Sequence, residues 1–210
     1  MAESSGFAKT LAAISGAFDR RAADYDESTM HRAVADAVAE FADLDGAADV
    51  LDIATGTGLA LRALHRRASG LRLTGVDISA GMLAAAASAL PSAQWIESDV
   101  AAVPLPGVSV DLITCVTALH IIPDIAGTIA EWHRLLRPGG RVVTATFLMR
   151  EDERLVDSPT PKRPYISDYR PLRTVEAYSE TFASLGFRLT RHSVWADGVD
   201  TVLIAELVPA

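Results

Sequence analysis

Short apolar runs alternate with longer amphipathic stretches along most of the chain. The runs are rich in Val, Ile and Leu, as in buried strands, and the stretches between them place apolar residues at helical spacing. This alternation predicts an α/β fold, with a mainly parallel sheet and helices on both faces. The predicted strands are 49–53, 72–76, 93–97, 110–115 and 141–147, and helices are predicted near 59–67, 79–90 and 124–136.

The two ends of the chain carry different patterns. Two amphipathic helices are predicted before the first strand, over residues 5–19 and 28–43. At the other end, a predicted helix over 174–185 is followed by a strand ending at Trp195, an Asp-Gly turn and a last strand over 201–208. Two apolar runs joined by Asp-Gly are typical of an antiparallel hairpin. We therefore expect a seven-stranded sheet that ends in an antiparallel hairpin.

Residues 150–173 interrupt this periodicity, because they contain four prolines and many charges. A long loop without regular structure is often a lid or a binding loop, and disorder is the alternative; the sequence leaves both open. We expect one domain over residues 1–210. Its predicted parts are an N-terminal helical cap (1–45), a cofactor-binding core (46–147), a substrate loop (148–173) and a C-terminal helix with its hairpin (174–210).

Composition narrows the possible functions. The chain has 19 basic and 27 acidic side chains and a net charge of −8, which disfavours nucleic-acid and anionic-membrane partners. The single cysteine, Cys115, cannot form an intramolecular disulfide, and this favours a reducing, cytoplasmic location. No apolar run is long enough to cross a membrane, and the histidines lack metal-ligand spacing, so we expect no membrane span and no metal.

The most informative segment is the strand 49–53 with the turn 54–58 that follows it. Glycine in such a turn permits close approach of a ligand, and the next helix presents backbone N–H groups. Asp77, at the end of the next strand, can accept hydrogen bonds from both hydroxyls of a ribose. Leu61 stands where a dinucleotide fingerprint has its third glycine. The carboxylate of Asp52, just before the turn, suits a cationic ligand better than a pyrophosphate.

Residues 51–58, Leu-Asp-Ile-Ala-Thr-Gly-Thr-Gly, resemble the first motif of class I S-adenosylmethionine-dependent methyltransferases, with Ala54 in place of the usual first glycine. Upstream, Phe18-Asp19, Ala22 and Tyr25-Asp26 are similar to a segment of the quinone-biosynthesis type of small-molecule methyltransferases. Four more segments agree with the family in order and spacing: 75–79 with Met82, 97–100, 110–113 running to 118–120, and 134–141. The resemblance covers residues 18–147.

This resemblance implies a Rossmann-like class I methyltransferase fold and S-adenosyl-L-methionine as the cofactor. It also implies methyl transfer, by in-line displacement, to O, N or C of a small organic molecule. Asp77 would hold the ribose and Asp99 the adenine amino group. The other cofactor contacts that the resemblance implies are Tyr25, Asp52, Ala54, Gly56, Gly58, Ile78, Met82, Val100 and Cys115.

The acceptor side is less defined by sequence. A base is required only when the acceptor atom is protonated at neutral pH. His120 is the first candidate, because it follows the fourth strand at the edge of the sheet where ligands bind in open α/β folds. His31, Tyr165 and Tyr169 are candidates for acceptor binding, and together with Asp168 they are weaker candidates for the base.

Three arginines of the proline-rich loop, Arg163, Arg170 and Arg173, are available to an acidic acceptor. Two alternative functions stay open. One is a family member that binds the cofactor without methylating, such as a cyclase, and the other is a nicotinamide-dependent oxidoreductase. The sequence is compatible with a monomer or a homodimer.

Overall fold

The computed structural model describes residues 2–150 and 152–210. Its helices are α1 (Ala2–Asp19), α2 (Thr29–Phe41), α3 (Leu59–Arg67), α4 (Ala80–Ala89), α5 (Ile125–Leu135) and α6 (Val175–Ser184). Its strands are β1 (Asp49–Ile53), β2 (Arg72–Asp77), β3 (Gln94–Glu97), β4 (Val110–Val116), β5 (Leu136–Phe147), β6 (Val156–Asp157), β7 (Ser167–Asp168), β8 (Phe187–Ala196) and β9 (Thr201–Pro209). Short 3₁₀ helices cover Tyr25–Glu27, Leu119–Ile121 and Arg170–Leu172.

Seven strands form one sheet in the order β3-β2-β1-β4-β5-β9-β8. The five strands from β3 to β5 pair in parallel, and β9 and β8 are antiparallel to their neighbours. The expected mainly parallel sheet with a C-terminal antiparallel hairpin is confirmed. The strand order reverses direction between β1 and β4, and in open α/β sheets ligands bind at such a reversal, beyond the carboxyl ends of the strands.

Apolar clusters cover both faces of the sheet. On one face, Trp132 and Phe182 pack with their rings stacked 6.0 Å apart. On the other, Val38 of α2 and Leu64 of α3 pack against the central strands. Burying one such side chain contributes roughly 1.5–3 kcal/mol to folding. Because both faces of the sheet are covered, a ligand can reach it at the ends of the strands, and we expect the site there.

Four helices begin one residue after the start that the sequence predicts. In each, the predicted first residue is the N-cap, whose side chain accepts a hydrogen bond from a backbone N–H of the first turn. These caps are Ser28, Ser79, Asp124 and Thr174. Ser, Thr and Asp stabilise a helix end by about 1 kcal/mol in this position.

The proline-rich loop contains regular structure that its sequence does not predict. Strands β6 and β7 pair as a two-stranded antiparallel ribbon, and a 3₁₀ helix follows it. Tyr165 and Leu172 are buried, at 5% and 0% exposure. Strands of two residues are too short to show a hydrophobic period, so this ribbon carries no detectable pattern.

Two elements begin three or more residues from the start that the sequence predicts. Helix α1 begins at Ala2 rather than at residue 5, and β5 begins at Leu136 rather than at residue 141. The early part of β5 contains Pro138 and two glycines, and its pairing with β4 shifts register there, so it lacks the alternation of a regular strand. Within the described residues, no helix combines the length and apolar character that a membrane crossing requires.

Candidate functional site

A cavity of about 270 Å³ lies at the carboxyl ends of the five parallel strands. Each strand contributes a lining residue at its end or just beyond it: Ala54 after β1, Ile78 after β2, Asp99 after β3, Thr117 after β4 and Phe147 at the end of β5. Eleven of the fifteen predicted site residues line this cavity: Tyr25, His31, Ala54, Gly56, Asp77, Ile78, Asp99, Val100, His120, Tyr165 and Tyr169.

The other four predicted site residues lie outside the lining. Asp52 borders a smaller cavity of about 30 Å³. Met82 and Cys115 are fully buried, and the cysteine pKa is raised by that burial. Gly58 has a φ of +76°, and a Cβ atom there would lie 2.6 Å from the ring of Trp95. Packing against this ring therefore requires a glycine at position 58.

The turn after β1 has an unusual backbone at its first residue. Ala54 has a φ of +53°, in the left-handed region that favours glycine. An alanine there costs about 1–2 kcal/mol. Thr117, which also lines the cavity, has a φ of +54°, and its N–H donates to the carbonyl of Ala145 at 2.7 Å. Strained backbone of this kind clusters at functional sites.

Asp77 is oriented by the backbone around it. Its Oδ2 accepts a hydrogen bond from the Gly56 N–H at 2.8 Å, and its Oδ1 accepts one from the Ser79 N–H at 2.9 Å. Burial raises its pKa, and the backbone hydrogen bonds oppose the rise. The two donors link the turn after β1 to the start of α4, so this carboxylate holds the walls of the cavity in place.

Asp52 lies behind the same turn. Its two oxygens accept hydrogen bonds from the hydroxyls of Thr55 and Thr114, each at 2.6 Å. Burial raises the pKa of this carboxyl to about 6, and the nearby Asp77 adds to the rise. The hydrogen bond from Thr55 holds the turn on the side that faces away from the main cavity.

Residues 18–26, which we call the cover segment, are tied to the core at both ends. Asp19 Oδ1 accepts hydrogen bonds from Ser79 Oγ at 2.6 Å and from the Gly81 N–H at 2.9 Å. Asp26 accepts a hydrogen bond from Thr57 Oγ1 at 2.5 Å and forms an ion pair with an arginine of α3. These contacts hold the cover segment against the starts of α3 and α4.

Tyr25 is the cover-segment residue that lies over the turn. Its ring stacks on His31 at 4.7 Å, and its Cε1 lies 3.9 Å from the position of a Cβ atom on Gly56. Burial raises the tyrosine pKa to about 12. The phenol is therefore a neutral hydrogen-bonding group at neutral pH.

His120 occupies an aromatic part of the cavity. Its ring stacks on Tyr169 at 4.6 Å and meets the edge of Phe147 at 5.5 Å. Within the described part of the chain, its buried Nδ1 has no hydrogen-bond partner. Burial lowers the histidine pKa to about 4, with a further contribution from Arg163. The ring is therefore neutral at pH 7.

The three candidate loop arginines differ in position. Arg163 lines the cavity. Arg170 and Arg173 do not line it. Arg170 Nη2 lies 2.5 Å from Asp168 Oδ2, and Arg173 is exposed. In the described part of the chain, no three His, Cys, Asp or Glu side chains are grouped closely enough to hold a metal ion.

Several lining residues were not predicted from the sequence: Arg21, Thr117, Ile121, Ile122 and Phe147. Arg21 lies in the cover segment, with its guanidinium 5.0 Å from the Phe18 ring centre and 5.3 Å from that of Tyr25. Sequence position could have identified the other four, because Thr117, Ile121 and Ile122 follow β4 and Phe147 ends β5.

Comparison with known proteins agrees with this geometry. Residues 51–144 match the profile of a family described as "Methyltransferase domain". Over these residues, just under half of the chain, the protein is similar to methyltransferase domains. The matched region begins in β1 and ends in β5, so it contains the carboxyl ends of β1, β2, β3 and β4.

Methyltransferases of several kinds are similar to this chain. A trans-aconitate 2-methyltransferase of Azoarcus sp. (strain BH72) is 41% identical over 46% of this chain and 38% of its own length. A demethylmenaquinone methyltransferase of Thermus thermophilus is 33% identical over 47% of this chain and 46% of its own length. The chain thus spans less than half the length of these two curated relatives. The structure of DhpI in complex with SAH has a TM-score of 0.70 at 24% identity, covering 95% of this chain and 96% of that one.

The residues of the cavity fit the cofactor of class I methyltransferases, S-adenosylmethionine. Asp77 and Asp99 supply carboxylates for polar hydrogens, and Ile78 and Val100 supply apolar surface for a flat ring. Gly56 has no side chain where the turn borders the cavity. These residue types match the ribose, amino group, base and chain of that cofactor.

Proposed function

We propose that this protein transfers a methyl group from S-adenosylmethionine to O, N or C of a small organic acceptor. One observation carries the proposal. A single cavity joins Asp77 and Asp99, which stand at the ends of adjacent strands, to an aromatic and apolar region around His120. The first part suits a nucleoside, and the second leaves room for a second small molecule beside it.

In this proposal, Asp77 binds the ribose hydroxyls and Asp99 the adenine amino group. Ile78 and Val100 pack against the adenine ring. Tyr25, held over Gly56, covers the methionine portion of the cofactor. The remaining predicted cofactor residues do not line the cavity: Asp52 orders the turn through Thr55, Gly58 ends the turn against Trp95, and Met82 and Cys115 are buried in the core.

The chemistry requires alignment more than reactive groups. When bound, the cofactor supplies a methyl group on a positively charged sulfur, which leaves as a neutral sulfide once the acceptor has taken the methyl. Ile121, Ile122 and Phe147 exclude water from the acceptor region. Holding the acceptor in line can provide most of the acceleration. In this proposal His120, which borders the acceptor region, accepts the proton of a hydroxyl acceptor.

The cap and the loop cover the two ends of this site. Residues 1–45 include the cover segment on the cofactor side, and the loop 148–173 supplies Tyr165, Tyr169 and Arg163 on the acceptor side. His31 stacks beneath Tyr25 and borders the cavity between these regions. In this proposal the parts work together as one domain.

The test is formation of S-adenosylhomocysteine from S-adenosylmethionine that carries a tritiated methyl group. Purified protein is incubated with panels of small carboxylic acids, phenols, quinols and amines, and labelled products are identified by mass spectrometry. The proposal predicts acceptor-dependent S-adenosylhomocysteine and an equal amount of labelled product. Cofactor binding without transfer to any acceptor would favour the non-methylating alternative. Binding of NADH in place of S-adenosylmethionine would favour the oxidoreductase.

A further inference from the structure

Arg163 reaches the cavity from a turn whose backbone is fixed. The Thr160 N–H donates to the Arg163 carbonyl at 2.7 Å, and the Arg163 N–H donates to Thr160 Oγ1 at 3.0 Å. Below this turn, β6 and β7 pair and close the base of the ribbon. The turn therefore presents the guanidinium from a defined position.

The guanidinium has a partner that a ligand can replace. Arg163 Nη1 lies 3.2 Å from Asp157 Oδ2, and the arginine side chain is 50% exposed. Exposed ion pairs contribute little to stability. The other oxygen of Asp157 lies 3.9 Å from Arg154 Nε. If Arg163 turns to a ligand, Asp157 keeps a cationic neighbour, so the exchange leaves no isolated carboxylate.

The charges around the cavity are unevenly placed. Of its two lining carboxylates, Asp77 ends β2 and Asp99 follows β3, where the proposed function places the cofactor. Two cations also line it: Arg21 in the cover segment, and Arg163 in the loop that supplies Tyr169, whose ring stacks on His120. An arginine beside aromatic rings binds a carboxylate through charge-assisted hydrogen bonds, which strengthen where water is excluded. Flat, unsaturated groups pack well against such rings.

We propose that the methyl acceptor is a small carboxylic acid with a flat, unsaturated body, and that Arg163 selects it by binding its carboxylate. The body packs in the aromatic region formed by His120, Tyr169 and Phe147. This inference rests on the proposed function and names the substrate class of the same site.

The experiment measures binding of matched acid and amide pairs to the protein saturated with S-adenosylhomocysteine. The probes are 4-hydroxycinnamic acid, 4-hydroxybenzoic acid and itaconic acid, each with its amide, titrated by calorimetry. Arg163→Gln is compared with Arg173→Gln, a change on the same loop at an exposed residue outside the cavity. Asp157→Asn tests the exchange of partners, because it weakens the competing ion pair.

We expect at least one acid to bind about tenfold or more tightly than its amide. Arg163→Gln should remove that preference and leave S-adenosylhomocysteine affinity unchanged, whereas Arg173→Gln should retain it. Asp157→Asn should raise acid affinity several-fold. Equal binding of acids and amides, no binding of any acid, or equal losses in both arginine variants would overturn the inference. Failure of S-adenosylhomocysteine to bind the unaltered protein would instead contradict the proposed function.

Discussion

Replacing Asp52 by Asn tests how the turn after β1 is held. The side chain is 2% exposed, and its two oxygens accept hydrogen bonds from Thr55 and Thr114. Burial raises its pKa from 3.8 to about 6. An asparagine has nearly the same shape and can bond both hydroxyls, but it does not titrate.

The sign of the effect follows from proton linkage. Between pH 3.8 and about 6 the folded protein holds a proton on Asp52 that the unfolded chain has lost. Stability contributed by this group is therefore fully present below pH 3.8 and is lost as pH rises through about 6. The difference between the two pKa values corresponds to about 3 kcal/mol. Relative to the unaltered protein, Asp52→Asn should gain about that much stability between pH 4 and pH 8.

The assay is urea unfolding followed by circular dichroism at several pH values, with the free energy of unfolding compared between the two proteins. Thr114→Val provides a matched test, because it removes a donor that lowers the Asp52 pKa. It should steepen the pH dependence in the unaltered protein and leave it unchanged when Asp52 is already Asn. A stability difference that is flat with pH, or that falls as pH rises, would refute this reasoning.

Three further predictions concern the cover segment, the acceptor region and the core. Asp19→Asn removes the charged acceptor of the Ser79 hydroxyl, so the Kd of S-adenosylhomocysteine should rise about threefold to tenfold by calorimetry. His120→Gln should lower turnover of a hydroxyl acceptor about 100-fold. The unaltered enzyme should lose activity to His120 protonation only as pH falls toward about 4. Tyr178→Phe removes a buried hydrogen bond of 2.7 Å to Thr144 and should lower the free energy of unfolding by about 1 kcal/mol, with cofactor affinity unchanged.

Each of these predictions has an outcome that contradicts it. An unchanged Kd in Asp19→Asn would show that the cover segment does not need this contact. A His120 variant that retains full turnover of a hydroxyl acceptor would remove the residue from its proposed role. A higher Kd of the cofactor in Tyr178→Phe would contradict the third prediction, because it would show that the core and the cavity are coupled.

The sequence predicted the sheet because its strands are buried on both faces and separated by amphipathic helices. Five of the six helix starts were placed within one residue, and in four of these the cap is a Ser, Thr or Asp with a clear preference for that position. Eleven of the fifteen predicted site residues line one cavity, because residues that follow parallel strands meet at one edge of the sheet.

What the sequence did not predict depends on contacts between distant residues. Gly58 was assigned to the cofactor, whereas its packing against Trp95 is visible only in three dimensions. Arg163, Arg170 and Arg173 were equivalent in sequence, and the ribbon of β6 and β7 with its turn distinguishes them. That ribbon is too short to leave a periodic pattern.

The most direct test of the central claim is calorimetric titration of the purified protein with S-adenosylmethionine, S-adenosylhomocysteine and NADH, repeated on Asp77→Asn. Circular dichroism of the variant establishes that it is folded. We predict that the first two ligands bind and NADH does not, and that Asp77→Asn weakens their binding at least about tenfold, the effect of losing a charged hydrogen bond. Binding of NADH alone, or equal affinity of folded Asp77→Asn and the unaltered protein, would contradict the account of this cavity.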